Sequence, residues 1–240
     1  MSVFIDTLLA ADRPLIMEVK RRDPHGNDLM GGRTVAEVVA HYEAAGAACV
    51  SVVTGRWFGG TPELLREVAD RTGKPVLQKD FITRRDHIQQ ARRSGASAVL
   101  LTAGLLTRSS LANLIDAALS LELTPFVEIT SEDEIAGITA ASRCVIAVNN
   151  KDIKTGERDD GDLTRSERML PYLRAAGTRA PVSASGIDTP ETAARLVGLG
   201  YAGLLVGTAL LRAPSVGDWL EAFDTARATA TDTAFARKGA

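Results

Sequence analysis

Four apolar runs in this 240-residue chain each end in a polar group that a buried strand carries only at a cost: LIMEVK with Glu18 and Lys20, PVLQK with Lys79, TPFVE with Glu128, and VIAVN with Asn149. Glu18 and Lys20 are two residues apart, so on a strand they project from one face. An ion pair in that position is expensive to desolvate. If the runs are parallel strands of one closed sheet, their C-terminal ends converge, and two lysines, two carboxylates and an amide stand over one small molecule. Such a set suits proton transfer between an ammonium acid and a carboxylate base. Each residue also has a plain structural reading: an internal ion pair for Glu18 and Lys20, a solvated strand end for Lys79, a salt-bridge partner for Glu128, and a turn for Asn149 and Asn150. One site accounts for four equivalent strand ends more economically than four separate accidents do.

The elements that must position these groups alternate along the chain. Short β-rich runs fall at 14–20, 48–53, 75–79, 97–102, 124–129, 144–149, 181–185 and 202–206. Amphipathic stretches follow near 34–45, 61–72, 83–94, 107–121, 131–140, 162–176, 189–199 and 215–228. Eight strand–helix units point to a (β/α)8 barrel of the TIM type, a fold of about 250 residues, rather than an open doubly wound sheet. No GxGxxG follows the first run, as a dinucleotide-binding sheet would require. Thr61-Pro62-Glu63, Ser131 with Glu134 in capping-box spacing, and Thr189-Pro190-Glu191 mark helix starts. A weak repeat, AGAACVSVVT, SGASAVLLTA and LGYAGLLVGT, places a glycine at each helix-to-strand joint, where a left-handed residue ends the helix. The expected organisation is one domain over 1–228 with a shortened N-terminal extension, followed by a small, polar, flexible tail over 229–240.

Composition narrows the partners. The formal net charge is −2 and no basic block is long enough to follow a phosphate backbone or an anionic bilayer, so nucleic acid and membrane are not expected partners. The opening MSVFIDTLLAADRP lacks a basic region before a long apolar core, and no run reaches the ~18 apolar residues of a membrane span. A cytoplasmic enzyme, monomeric or weakly self-associating, is expected. Cys49 and Cys144 sit inside apolar runs and read as buried free thiols. His25, His41 and His87 are scattered without ligand spacing, so neither a metal nor another cofactor is expected. Ser185-Gly186 and Gly207-Thr208 end the seventh and eighth runs, where barrels of this kind build phosphate sites from backbone N–H groups. A small phosphorylated substrate is the expected partner.

The motifs EVKRRDP, SVVTGRWFGGTPELL, PVLQKDFI, GASAVLLTAGLL, FVEI, VNNKDIKT, SASGI and LLVGTALL together resemble the indole-3-glycerol phosphate synthase family over about residues 2–225. The resemblance implies a carbon–carbon lyase of tryptophan biosynthesis that closes the indole ring of a carboxyphenylamino-deoxyribulose phosphate, losing carbon dioxide and water. It also implies roles: Lys79 as general acid, Glu128 as general base, Lys20 as an electrophilic, substrate-binding cation, Glu18 and Asn149 as positioning groups, and Phe81 as a wall for the aromatic ring. Ser185, Gly186, Gly207 and Thr208 would hold the phosphate.

Several positions depart from the family pattern. Ala184 in SASGI replaces a glutamate expected beside the lysine, and KRRDPHG carries Asp23 and His25 where small hydroxyl residues are usual. An anionic Asp23 would repel a substrate carboxylate by ~1 to 4 kcal/mol at close range. Lys151 stands for an arginine and lacks its planar fork. Gly55-Arg56 replaces an acidic pair, and only about thirteen residues precede the first strand, where the family carries extra helices over the barrel mouth. Asp23, Lys151 and Ala184 are thus expected at the substrate's carboxylate and ring end. Three functions remain open on the sequence: the synthase, a diverged relative acting on another phosphorylated amino-ketose, and a catalytically silent sugar-phosphate-binding barrel.

Overall fold

Runs of Val, Ile, Leu and Ala that are apolar on both faces form strands only where both faces are covered, which is the situation inside a parallel barrel. The computed structural model describes residues 2–238, with the side chains of Lys154 and of 231–238 left undescribed. Its strands are β1 (Leu15–Val19), β2 (Cys49–Val53), β3 (Val76–Lys79), β4 (Ala98–Thr102), β5 (Thr124–Ile129), β6 (Val145–Asn149), β7 (Ala180–Ala184) and β8 (Gly203–Val206). All neighbours pair in parallel, and β8 returns to β1 to close the barrel.

The helices are α1 (Val3–Ala10), α2 (Val35–Ala44), α3 (Pro62–Ala69), α4 (Arg85–Arg93), α5 (Arg108–Ser120), α6 (Leu163–Ala176), α7 (Pro190–Leu199), α8 (Thr208–Arg212) and α9 (Val216–Lys238). Their apolar faces pack on the outward residues of the strands, such as Leu15, Met17 and Val19 of β1. Gly46, Gly95 and Gly200, the joints of the weak repeat, all adopt the left-handed conformation, at φ 73°, 90° and 107°. Cys49 and Cys144 are free and buried, and burial pushes both thiols up, away from reactivity.

Three expectations need correction. The residues before β1, for which no element was expected, form α1, which plugs the N-terminal end of the barrel. Phe4, Ile5 and Leu8 are buried with the barrel's inward residues, and Phe4 meets Phe126 edge to face at 6.2 Å. Gly203 at the start of β8 makes room for this plug, since a Cβ there would lie 2.7 Å from Leu8 Cδ2. The stretch 131–140 is no α-helix: it forms a 3-10 segment at Glu132–Gly137. Glu134 caps Thr130 there rather than Ser131, accepting from its backbone N at 2.7 Å and its Oγ1 at 3.2 Å. The last helix, expected to end near 228, runs to Lys238, and residues 239–240 of the expected tail lie outside the described residues.

The loop after β2 folds back on its own strand through Gly60. A Cβ on Gly60 would lie 2.7 Å from Thr54 Cα and collide with the Val53 carbonyl, both rigid backbone. Gly60→Ala is expected to cost about 1–3 kcal/mol through overpacking, lowering Tm by about 2–4 °C per kcal/mol. A thermal melt unchanged from the parent would show that the loop relaxes freely.

Candidate active site

Strand alternation decides which side chains reach the barrel interior. Ile16 of β1, Leu100 of β4, Phe126 of β5 and Val182 of β7 fill its middle. The next inward positions toward the C-terminal ends are Glu18, Thr102, Glu128 and Ala184, and Lys79 and Asn149 close β3 and β6. Convergence of the four strand ends read from the sequence therefore follows from barrel closure.

Glu18 is the hub. Its Oε1 lies 3.4 Å from Lys20 Nζ and its Oε2 lies 3.9 Å from Lys79 Nζ. Ser51 Oγ donates to Oε2 at 3.4 Å, and the Tyr42 hydroxyl donates to the Glu18 carbonyl at 3.0 Å, fixing the strand beneath. Gly207 gives Glu18 its space, because a Cβ there would lie 2.6 Å from Glu18 Oε1 and 3.1 Å from its Cβ. Lys20 also sits 5.5 Å above the Phe58 ring. Lys79 has a second carboxylate, Glu157, whose Oε1 is 3.7 Å from Nζ.

Burial alone would lower the Lys79 pKa, but Glu157, then Glu18 and Glu128, outweigh it and hold the ammonium well above the ordinary lysine value. Glu128 moves upward, to about 7, because burial and the charges of Glu157 and Glu18 outweigh Lys79 and the Asn149 amide. Its Oε2 is buried without a hydrogen-bond partner among the described residues. A charged lysine and a carboxylate titrating near neutrality thus share one mouth, which is the division of labour required of an acid and a base.

The cavity above them has two lobes. A polar lobe of about 210 Å³ is lined by Glu18, Lys20, the turns Ser185-Gly186 and Gly207-Thr208, and Arg212. A more apolar lobe of about 420 Å³ is lined by Trp57, Phe58, Phe81, Leu100, Leu105 and Glu128. Lys79 and Glu157 belong to both. Phe81 and Trp57 meet edge to face at 5.2 Å and 76° and form an aromatic rim. Ser185 adopts a left-handed φ of 66°, held by Asn150, whose Nδ2 donates to the Ser185 carbonyl at 3.0 Å and to the Ala184 carbonyl at 3.0 Å. Ser166 Oγ in turn donates to Asn150 Oδ1 at 2.8 Å, so Asn150 pins the β7 turn and does not simply reverse the chain.

Most of the residues singled out in the sequence meet here: Glu18, Lys20, Lys79, Glu128, Phe81, Asp23, Lys151, Ser185, Gly186, Gly207 and Thr208 all line the cavity. Two do not. Asn149 is wholly buried and lines neither lobe, its Nδ2 donating to Glu157 Oε1 at 3.2 Å and its Oδ1 accepting from Lys151 N at 2.9 Å. Ala184 is wholly buried among the inward apolar residues. Asp23 reaches the polar lobe, but not as the isolated anion expected. Burial would raise its pKa, yet donation from Asn27 and the His25 backbone, together with Arg212, holds it below the usual carboxylate range. The Arg212 ion pair is 2.6 Å long. His25 lines the polar lobe and Arg56 does not. The sequence reading missed Glu157, Arg158 and Arg212. Arg212 follows the GTALL turn by one residue, a signal that a search for phosphate-side cations would have caught. Among the described residues no group of three or more His, Cys, Asp or Glu is arranged to hold a metal ion, and no described helix is long and apolar enough to cross a membrane.

A closed parallel barrel with a buried ammonium and a raised-pKa carboxylate at the C-terminal ends of its strands has the build of a barrel enzyme, whose active site lies at that face. More narrowly, the chain belongs to the indole-3-glycerol phosphate synthase family, whose model matches residues 2–223. It is 36% identical over 215 residues to the indole-3-glycerol phosphate synthase of Pyrococcus furiosus, covering 89% of this chain and 92% of that protein. Similarity to the enzymes of that name from Carboxydothermus hydrogenoformans, 36% identical over 86% of this chain and 77% of the relative, and Listeria monocytogenes, 38% identical over 82% and 77%, is of the same order.

Asp23 ties the β1–α2 loop to α8, and its folded-state pKa is depressed. Its stabilising contribution is therefore present above the unfolded carboxylate value and is lost as pH falls through the lower folded value. Asp23→Asn is expected to lower Tm at pH 7 by about 2–4 °C, corresponding to about 1 kcal/mol. The difference from the parent should vanish in acid, where both chains carry a neutral group. Thermal melts across pH 3–7 check this, and a difference independent of pH would remove the charge from the explanation.

Proposed function

We propose that this chain closes the indole ring of carboxyphenylamino-deoxyribulose phosphate with release of carbon dioxide and water. One observation carries the reading: Lys79, held charged, and Glu128, poised near pH 7, face one cavity whose two lobes suit the two ends of that substrate. The phosphate is received at the polar lobe by Ser185-Gly186 and Gly207-Thr208, with Lys20 behind them. The aromatic ring lies in the apolar lobe against Phe81 and Trp57. Between the lobes the sugar carbonyl comes within reach of the Lys79 ammonium.

Each step then has a group to serve it. Lys79 polarises the carbonyl, and the ring carbon bearing the carboxylate attacks it, forming the new carbon–carbon bond. Carbon dioxide leaves and its bonding pair returns to the ring. The hydroxyl left at the former carbonyl carbon departs as water with a proton from an ammonium, and Glu128 removes a proton from the adjacent carbon to complete the aromatic indole. Glu18 pairs with both Lys20 and Lys79, and Lys20 supplies positive charge where the oxygen becomes negative. A barrel built only to bind a sugar phosphate has no use for a buried base opposite a buried acid.

Incubation with carboxyphenylamino-deoxyribulose phosphate should give indole fluorescence and a product lighter by one carbon dioxide and one water. Absence of product from folded protein would reject the synthase reading. Lys79→Met is expected to reduce kcat by about 10²–10⁴-fold, with inorganic phosphate still bound and the far-ultraviolet circular dichroism retained. Unchanged turnover would take Lys79 out of the mechanism.

The pH dependence has a definite sign. A base must be ionised, so kcat/KM should rise with pH through a midpoint of about 7 set by Glu128. Lys79, its pKa raised, contributes no falling limb in the neutral range. A pH–rate profile already flat below pH 6 would show that Glu128 is not the titrating base.

A further inference from the structure

Glu157 belongs to no strand, and the segment around it, TGERDD, reads as an ordinary polar loop between β6 and α6. In the fold it is a third carboxylate of the buried cluster, its side chain only 14% exposed. Its backbone is left-handed at φ 60°. A non-glycine residue there costs about 1 kcal/mol or more and persists where its surroundings over-determine it. Those surroundings are specific. Oε1 accepts from Asn149 Nδ2 at 3.2 Å and pairs with Lys79 Nζ at 3.7 Å, while the Glu157 carbonyl accepts from Lys151 Nζ at 3.3 Å. The next residue, Arg158, donates from Nε to the Pro24 carbonyl at 3.4 Å, joining this loop to the one after β1.

Two facts give this arrangement a function beyond holding a loop. Asn149 lines neither lobe and Glu157 lines both, so the Asn149 amide meets the reaction cavity through the carboxylates it faces, Glu157 at 3.2 Å and Glu128. The position paired with Asn149 across the β6–β7 ladder is Ala184, so the barrel wall offers no carboxylate on that side. The second negative charge on Lys79 arrives from the loop instead.

We propose that Glu157 is a positioning residue of the active site: anchored on the Asn149 amide, its carboxylate fixes the Lys79 ammonium at the junction of the two lobes and docks the β6–α6 loop over the cavity. The kinetic part rests on the ring-closure reading above, whereas the pairing with Lys79 does not. The charged groups lining the two lobes with Lys79 are Glu18 of β1 and Lys20 just after it, Asp80 after β3, Glu128 of β5, Lys151, Arg158, Asp159 and Asp160 from the loop itself, and Asp23, His25, Asp188 and Arg212 in the polar lobe.

Glu157→Gln keeps the shape and an acceptor for Asn149 while removing the charge. Trace labelling with acetic anhydride at fixed pH between about 8 and 10, read by mass on the peptide containing Lys79 and referenced to exposed lysines, measures the free-amine fraction, and from it the relative midpoint in parent and variant, without any substrate. With the carboxylate gone, the Lys79 midpoint should fall below that of the parent, because one of the two negative charges paired with the amine has been removed. On carboxyphenylamino-deoxyribulose phosphate, kcat should fall by about 10- to 100-fold from misplacement of the acid, with KM changed by no more than about threefold. The rising limb of kcat/KM should move to lower pH, since Glu157 is one of the charges that raise Glu128. Glu157→Asp, which restores the charge on a shorter arm, should recover part of kcat.

An unchanged Lys79 midpoint overturns the proposal whatever happens to turnover. So does an unchanged kcat in an enzyme whose parent is active, including the case in which only Tm falls. If the parent itself makes no product, the ring-closure reading fails on its own, and the labelling midpoint alone decides for or against the Glu157–Lys79 pairing.

Discussion

A lysine buried to 9% exposure at the end of β3 is the constraint around which the site is organised. Removing an ammonium from water costs several kcal/mol even after relaxation, and an isolated Lys79 would simply lose its proton. Carboxylates at 3.7 and 3.9 Å each return about 4 kcal/mol at the effective dielectric of a protein site, so the charged form wins. The same solution fixes the behaviour of Glu128. With the carboxylates of Glu18 and Glu157 also facing Lys79, a further buried carboxylate has too little positive charge left to share, and its proton is held to about pH 7. The proposed acid and base are thus two outcomes of one crowded charge balance.

That balance needs room, and the barrel provides it through small residues at chosen strand ends. β8 begins at Gly203 and is followed by Gly207, and each gives way to a side chain from elsewhere: Leu8 of the plug below and Glu18 of the hub above. One strand therefore sets both how tightly the bottom is sealed and how closely the acidic hub approaches the turn that follows it. Ala184 plays a quieter part, closing β7 with a small apolar side chain beside Asn149 and leaving the loop carboxylate to complete the cluster. Burial of Asn149 and Asn150 in adjacent positions divides their tasks, because successive strand residues face opposite ways. Asn149 serves the cavity side, and Asn150 holds the strained Ser185 turn from behind.

The barrel was legible in the sequence because continuous apolar runs separated by amphipathic stretches have few other folded solutions. The clustering at strand ends was legible for the same reason: Glu18, Lys20, Lys79 and Glu128 interrupt apolar runs where nothing structural asks for charge. What escaped has a different physical origin. VFIDTLLA is a helix whose purpose, closing the barrel's lower end, exists only once the barrel does. Arg212 finds Asp23 across 189 residues of chain, and Glu157 finds Lys79 from a loop with no periodicity to betray its direction. The partners of Asp23 escaped on the same ground, since a carboxylate's effective charge depends on groups that sequence spacing does not reveal. Residues 131–140 were misread because Glu134 turns its carboxylate back to Thr130, spending the capping group one residue before the expected helix start.

The polar lobe holds nearly equal numbers of cations and anions, so a phosphate gains little there from net charge. Selection has to come from which charges are already satisfied. Glu18 is engaged by two lysines, Asp23 by Arg212 and its own loop, and Asp159 by the Asp152 backbone and the Thr155 hydroxyl. Their fields are largely spent on short contacts, and at more than a few ångströms the partners screen them. The turns after β7 and β8, by contrast, present backbone with no side chain in the way at Gly186 and Gly207. Under the proposed reading an arriving dianion meets the backbone of these turns beside the Glu18 carboxylate, which packs against Gly207, and Lys20, the partner of that carboxylate, offsets its charge. On that reading, recognition of the phosphate end leans on the same pairing that keeps Lys79 charged: Glu18, Asp23, Glu157 and Asp159 each have a partner, and Asp160 and Asp188 face solvent.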